Sequence, residues 1–292
     1  MFSERHNMKK ITIGYIFNDS KLGKDEKFFL KVAKSKNVNL VMINTAKDLN
    51  EEELEEKIKN CDIFFNNSAE DFALEIVKTI EELGKKVIES SEEFYYDEDK
   101  WMFFIKCKEH EIPTLRTILL SQNWNIMKKE LEKFKEWPVI LKRVEGTNGE
   151  YVDKADNLRE AEKIINRFWK KGTNRLPIIA QEFIKSPSYR VTVIGGKIVQ
   201  TAIKESKGWK ATGVYIQDKN VKKFQVDKEL KKIVDKLTRV FKIKIYGVDL
   251  FKKDGKWLVL EINAEPGLDF INKEEEKLVG EILDYLKSQV KK

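Results

Sequence analysis

The chain has 292 residues, enough for one large or two modest domains and for a core that needs no disulfide or zinc staple. Hydrophobic residues make up 41% and charged residues 36%, with only five prolines, which excludes a disordered tail protein. The net charge is +7, yet Lys and Arg are interleaved with Glu throughout, so no basic block marks a nucleic-acid partner. Cys61 and Cys107 lie far apart with no CxxC, and His6 and His110 are too few for a His-rich metal site, so zinc and a disulfide framework are not expected. The start of the chain is polar with no apolar core, and no apolar run approaches the ~20 residues of a membrane span. A soluble cytoplasmic protein in a reducing compartment, without a signal peptide, is the expectation.

Residues 11–17, 38–43, 61–65 and 86–88 read as short strands, and 25–36, 51–60 and 69–84 as the helices between them. That alternation predicts a small open α/β layer with a parallel sheet. Gly14 stands alone after the first strand, with no GxGxxG, so no dinucleotide site is expected there. The pattern then changes. Residues 97–110 read as a helix, 114–120 as a strand and 126–136 as a polar helix, and 138–144 with 151–152 as a hairpin. A helix over 157–171 and a strand over 177–184 follow, then strands at 191–194 and 198–204. Helix 228–241, strands 245–251 and 257–263 and helix 274–289 complete an α+β half.

The strongest chemical signal is the run YGVDLFKKDGKWLVLEINAEPG, residues 246–267. Two β runs flank Lys253-Asp254-Gly255, which reads as a three-residue hairpin loop. With that loop Lys252 opposes Lys256 and Asp249 opposes Val259. Val248, Leu250, Leu258, Leu260 and Ile262 then share an apolar face, and Asp249, Val259, Glu261 and Asn263 share the other. Two carboxylates and an amide, without imidazole or thiolate, suit a hard cation such as Mg²⁺ completed by substrate phosphates. A solvated sheet face is the plain alternative, but Pro266-Gly267 breaks the strand just beyond Asn263 and puts the group beside a loop.

In the strand at 138–144, Ile140, Lys142 and Val144 share a side, and a lysine between apolar neighbours needs an anionic partner. Glu145-Gly146-Thr147-Asn148-Gly149 follows at once, a turn whose glycines would let backbone N–H groups close on phosphate oxygens. A simple hairpin turn is the competing reading. Lysine, glycine turn and Mg²⁺ ligands together are the parts that orient a nucleoside triphosphate.

The ordered set Asp99-Lys100, VILK (139–142), EGTNG (145–149), QEFI (181–184), Arg190, GVDL (247–250) and EINAEPG (261–267) resembles the ATP-grasp superfamily, and within it the RimK-type, glutathione-synthetase-like carboxylate–amine ligases. The resemblance covers essentially the whole chain. It implies an ATP-grasp fold of mixed α/β and α+β class: a Rossmann-like pre-ATP-grasp domain over 1–93, a central subdomain over 94–184 and a C-terminal subdomain over 185–292. It implies that Lys100 and Lys142 meet the phosphates of ATP and that Gly146, Thr147, Asn148 and Gly149 form a flap over them. Gln181 with the backbone of Glu182, Phe183 and Ile184 would frame the adenine. Asp249, Glu261 and Asn263 would hold two Mg²⁺ ions, with Mn²⁺ a substitute, and Arg190 would face the γ-phosphate and an acyl phosphate.

The implied reaction joins a carboxylate to an amine through that acyl phosphate, releasing ADP and phosphate. Its substrates would be small molecules, peptides or proteins, with a homo-oligomer in keeping with such ligases and neither membrane nor nucleic acid as partner. Three departures stand out: Tyr151 where such flaps often carry glycine, Ser188 in place of an aspartate, and a short loop over 204–213 without its asparagine. They keep open a nucleotide-binding regulatory protein that has lost turnover. An ATP-grasp kinase or carboxylase with another acceptor is the remaining enzymatic rival.

Overall fold

The structure is a computed structural model and describes residues 10–47, 50–135, 137–146, 149–170, 175–205, 208–209, 221–268, 270–271 and 273–290. Its chain divides into two compact units, residues 1–91 with 267–292, and residues 92–266.

In the first unit β1 (Ile11–Phe17), α1 (Lys24–Ser35), β2 (Val38–Asn44), α2 (Glu51–Lys59), β3 (Ile63–Asn66), α3 (Asp71–Glu82) and β4 (Val87–Ile88) alternate as expected. The strands form a parallel sheet in the order β2-β1-β3-β4. A parallel sheet is covered on both faces, which is why β1 and β3 are near-continuous apolar runs. On one face Ile16 and Phe64 pack with Ala73, Ile76, Val77 and Ile80 of α3. On the other, Tyr15 lies 4.5 Å from the Phe29 ring of α1 and 5.8 Å from that of Phe65. Gly14 has a packing role: a Cβ there would enter the Phe64 ring, so the glycine admits an aromatic side chain.

The second unit takes in α4 (Ser91–Glu98), α5 (Lys100–Glu109), β5 (Thr117–Leu119), α6 (Trp124–Phe134), β6 (Val139–Arg143), β7 (Val152–Ala155), α7 (Leu158–Lys170) and β8 (Ile178–Glu182). The single helix expected over 97–110 is broken at Asp99. Its carboxylate accepts the N–H groups of Trp101 and Met102, each at 2.9 Å, and so caps a new helix. Strands β5-β8-β6-β7 make an antiparallel sheet. Val139, Leu141, Ile178 and Ala180 pack beneath Met127, Leu131 and Phe134 of α6 and Ile164, Ile165 and Phe168 of α7. Strand alternation therefore turns Ile140, Lys142, Ile179 and Gln181 to the face away from α6 and α7.

Then come β9 (Ser188–Ile194), β10 (Lys197–Lys204), β11 (Val221–Lys222), α8 (Lys228–Phe241), β12 (Ile245–Lys253) and β13 (Lys256–Asn263), whose strands form an antiparallel sheet β11-β10-β9-β12-β13. Helix α8 buries Leu230, Ile233, Val234, Leu237 and Phe241. It covers the sheet face that carries Tyr246, whose hydroxyl lies 2.7 Å from Thr238 Oγ1. The opposite face carries the candidate site.

The last helix, α9 (Glu275–Gln289), packs on α1 and belongs to the first unit. Its buried face holds Leu278, Val279, Ile282, Leu283 and Leu286. Ion pairs Lys24–Glu275 (2.7 Å), Lys31–Glu276 (2.8 Å) and Lys36–Asp284 (2.5 Å) run along it. The sequence grouping of 185–292 as one lobe thus differs from the contacts, because the apolar stripe of α9 finds its partner some 250 residues upstream. No helix among the described residues is long and apolar enough to cross a membrane.

Candidate active site

The β12–β13 hairpin corrects the expected register. The turn has two residues, Asp254 and Gly255, both at positive φ (51° and 78°), so Lys253 pairs with Lys256 and Leu250 with Val259. A bulge then takes up one residue of β13, and Asp249 pairs directly with Glu261 and Gly247 with Asn263. The apolar face is accordingly Val248, Leu250, Trp257, Val259 and Ile262, all essentially buried, while Leu258 and Leu260 are only half-buried. Val259 does not belong to the polar face. Burying Trp257 selects the turn, and the bulge returns Glu261 and Asn263 to the face of Asp249; bulges commonly re-aim side chains in this way.

Strand β9 lies on the other side of β12 and sets Arg190 opposite Asp249. Arg190 Nη1 donates to Asp249 Oδ2 at 2.7 Å and Nη2 to the Pro266 carbonyl at 2.8 Å. Asn263 Nδ2 donates to the same Asp249 oxygen at 3.3 Å. Burial raises the Asp249 carboxyl to about 6 despite the arginine, with Glu261 adding to the rise. A carboxylate so placed gains from further positive charge.

Lys142, 7% exposed, supplies part of that charge from the other sheet. Loss of hydration lowers its ammonium and the nearby Lys100 lowers it further, while Glu261 and Asp249 oppose both. The lysine, the second lysine and the two carboxylates therefore share one electrostatic neighbourhood. Lys100 begins α5; its N–H donates to Val144 O at 3.0 Å and its Nζ to Gly146 O at 2.8 Å, which ties the helix start to the glycine turn. Gly146 (φ 129°) and Gly149 (φ 66°) occupy backbone regions that favour glycine. Thr147 and Asn148 lie outside the described residues.

At the end of β8, Gln181 and Glu182 are buried. Gln181 Nε2 donates to Thr117 Oγ1 at 3.1 Å, and the Glu182 carboxylate accepts from Arg116 N–H at 2.8 Å and Lys253 Nζ at 2.6 Å. These side chains brace β5 and the hairpin tip, leaving the half-buried Phe183 and Ile184 as the apolar members of the segment. Lys154 Nζ stands 5.8 Å over the Phe183 ring.

The donor chemistry fits a hard divalent ion: oxygen atoms only, on adjacent strands, with one carboxyl raised by burial. Among the described residues no three His, Cys, Asp or Glu side chains cluster as a self-sufficient metal site. Two carboxylates and an amide instead suit an ion whose remaining ligands are phosphate oxygens and water.

A family model, the RimK-like ATP-grasp domain, matches residues 97–286. The chain belongs to the RimK-like ATP-grasp family. It is 32% identical over 158 residues to a probable alpha-L-glutamate ligase of Legionella pneumophila (strain Corby), covering 53% of this chain and 51% of that protein. It is 26% identical over 226 residues to the probable alpha-L-glutamate ligase of Haemophilus influenzae (strain ATCC 51907 / DSM 11121 / KW20 / Rd), covering 76% and 73%. The alignment spans about half the length of the first of these curated relatives. A RimK domain ATP-grasp protein from Sphaerobacter thermophilus superposes with a TM-score of 0.74 at 13% identity, over 94% of this chain and 99% of that one. D-alanine–D-alanine ligase from Bacillus anthracis, complexed with ATP, gives 0.70 at 17% identity over 96% and 97%. The fold is the ATP-grasp fold.

Of the departures from the ATP-grasp pattern, Tyr151 has a structural explanation. The Arg143 guanidinium stands 3.6 Å from the centre of its ring, and the ring edge meets Phe168 at 5.9 Å. Arg143 also donates to the Phe168 carbonyl. Tyr151, two residues beyond Gly149, is thereby anchored to α7. Ser188 is buried opposite Lys204 at the start of β9. Of the 204–213 loop only Lys204, Glu205, Gly208 and Trp209 are described.

Two features escaped the sequence reading. Asp97 accepts the Ala264 N–H at 3.0 Å, immediately beyond Asn263. Lost hydration pushes its carboxyl up to about 7, the Ala264 bond and Lys100 opposing and Glu261 and Glu265 adding. Only its place three residues before Lys100 could have signalled this. The second is the Arg190 guanidinium lying over Gly247.

Proposed function

We propose that the chain is an ATP-dependent carboxylate–amine ligase that forms an amide or peptide bond through an acyl phosphate and releases ADP and phosphate. The observation that carries this reading is Lys142, a buried lysine on one sheet in the electrostatic field of Glu261 and Asp249 on the other. A desolvated ammonium facing two carboxylates suits phosphates accompanied by a divalent ion. The two sheets of the second unit are the halves that grip the nucleotide.

Asp249, Glu261 and Asn263 would hold Mg²⁺, which when bound neutralises phosphate charge. Lys100 and Lys142 bind phosphate oxygens, and the 146–149 turn covers them. Gln181 and the backbone of 182–184 frame the base. Arg190, fixed by Asp249 and Pro266, faces the transferred phosphoryl group. The substrate carboxylate oxygen attacks Pγ and ADP leaves; the amine then attacks the acyl carbon and phosphate departs. Positioning and charge carry this chemistry, and it needs no protein nucleophile.

The relatives' names make L-glutamate the first amino acid to test, with a peptide, protein or cofactor as its partner. The positive net charge favours an acidic acceptor. The test is phosphate release from Mg-ATP across amino acids, acidic peptides and cofactor acids, with the nucleotide product identified. ADP and phosphate, together with a new amide, are expected. AMP and pyrophosphate would move the protein to another ligase class, and nucleotide binding with no acceptor-dependent release would favour the regulatory reading.

A further inference from the structure

Gly247 sits inside β12 with β9 on one side and β13 on the other, paired with Thr192 and Asn263. Glycine in the interior of a central strand weakens it, since it adds chain entropy and offers no side chain to pack. The backbone does not call for glycine here, because Gly247 is not among the positive-φ glycines. Its reason is spatial. A Cβ placed on Gly247 would fall within the guanidinium of Arg190, whose Nη2, Cζ and Nε are its three nearest heavy atoms. Arg190 leaves β9 opposite Asp249, lies over the bare Gly247 backbone and ends on the Pro266 carbonyl at 2.8 Å. Its other terminal nitrogen reaches Asp249 Oδ2 at 2.7 Å. The Arg190 side chain is only 9% exposed, so it has little room to move aside.

We infer that Gly247 is a positioning residue: its missing side chain is the cradle that fixes the Arg190 guanidinium beside Asp249, at the angle from which it meets the terminal phosphate. This rests on the proposed role of Arg190 toward the γ-phosphate. A methyl group at 247 displaces the guanidinium's flat fork, so its bonds to Asp249 and to the Pro266 carbonyl are strained together. A planar, five-donor cation tolerates such a shift poorly, because its bonds depend on direction as well as on charge.

The test is a double-mutant cycle on the full chain with Gly247→Ala, Arg190→Ala and the pair. Two readouts are used: thermal unfolding, and calorimetric binding of Mn²⁺·AMPPNP compared with Mn²⁺·ADP. Gly247→Ala is expected to lower the melting temperature and to weaken AMPPNP binding about tenfold, as expected for one charge-assisted contact, with ADP binding changed less than threefold. In the Arg190→Ala background the added methyl should cost almost nothing in either readout. Should Gly247→Ala alone fail to fold, recovery of folding in the pair supports the cradle by itself, and a pair that also fails overturns it. An equal cost of Gly247→Ala with and without Arg190 overturns the inference and makes the glycine a backbone requirement of β12. Coupling in stability, with Arg190→Ala leaving AMPPNP binding intact, instead overturns the phosphate-facing role of Arg190. Gly247 would then be a packing contact only.

Discussion

The site is built from individually ordinary residues whose surroundings set their roles. Lys142 is expected to be indispensable for nucleotide binding: Lys142→Ala should weaken Mg-ATP affinity at least tenfold, the scale of one lost charge-assisted hydrogen bond. Circular dichroism should show the fold intact, and calorimetry measures the affinity. Glu261 pairs directly with Asp249 and stands two residues from Asn263, so Glu261→Gln removes a full charge from the centre of the oxygen set. Turnover should fall roughly 10²-fold, and Asn263→Ala should cost less, since a neutral amide brings one oxygen and no charge. A Mg²⁺ titration of both variants checks the order, and near-normal turnover of Glu261→Gln at low Mg²⁺ would refute it. The cysteines give a pH-dependent contrast. Burial raises the Cys61 thiol to about 11 and Cys107 further, so less thiolate exists at pH 8 than in an open chain. Alkylation of the native protein at that pH should therefore run roughly a hundredfold slower than after denaturation. Fast native labelling of either residue would contradict their burial.

At the scale of the elements, the β12–β13 hairpin matters most. Its Asp254-Gly255 turn matches the twist of the flanking strands, and Gly255 takes a left-handed conformation that a β-branched residue resists. Gly255→Val should destabilise the second unit by about 1–2 kcal/mol in chemical denaturation. Because the turn and the burial of Trp257 together hold the register that the bulge then completes, the variant should also weaken Mn²⁺ binding. An unchanged denaturation midpoint would show that the burial of Trp257 holds the register without help from the turn. Helix α5 offers a comparable lesson. The helix expected over 97–110 includes Asp99, but that side chain bonds forward to two backbone amides and a new helix begins. The break brings the Lys100 amide to Val144 O and its ammonium to Gly146 O.

For the whole molecule, ligand linkage is the most general expectation. A nucleotide that binds only the folded state adds about 2.7 kcal/mol at a hundredfold excess over its dissociation constant. For a unit of this size that amounts to a rise of roughly 5–10 °C in the melting temperature. Mg-ATP should produce this shift and EDTA should abolish it, as followed by differential scanning calorimetry. A shift that survives EDTA would separate nucleotide binding from the oxygen set of Asp249, Glu261 and Asn263.

Local chemistry determined much of this protein from the sequence alone. Apolar runs and helical stripes announced the parallel α/β unit, because a strand or helix buries the face that its own periodicity presents. The residue types of the site were equally legible, since two carboxylates and an amide before a Pro-Gly break, and a lysine before a glycine turn, carry their chemistry wherever they fold. Tertiary structure decided what depends on distant partners. It drew α9 to α1 through buried leucines and ion pairs. It replaced the three-residue loop by a two-residue turn and a bulge, because Trp257 and Val259 gain more from burial than Leu258 and Leu260. It also brought Asp97 to Ala264 and laid Arg190 over Gly247, contacts made by chain segments far apart in sequence. Periodicity reports which face of an element is apolar; only packing decides which other face it meets, and therefore which charges come together.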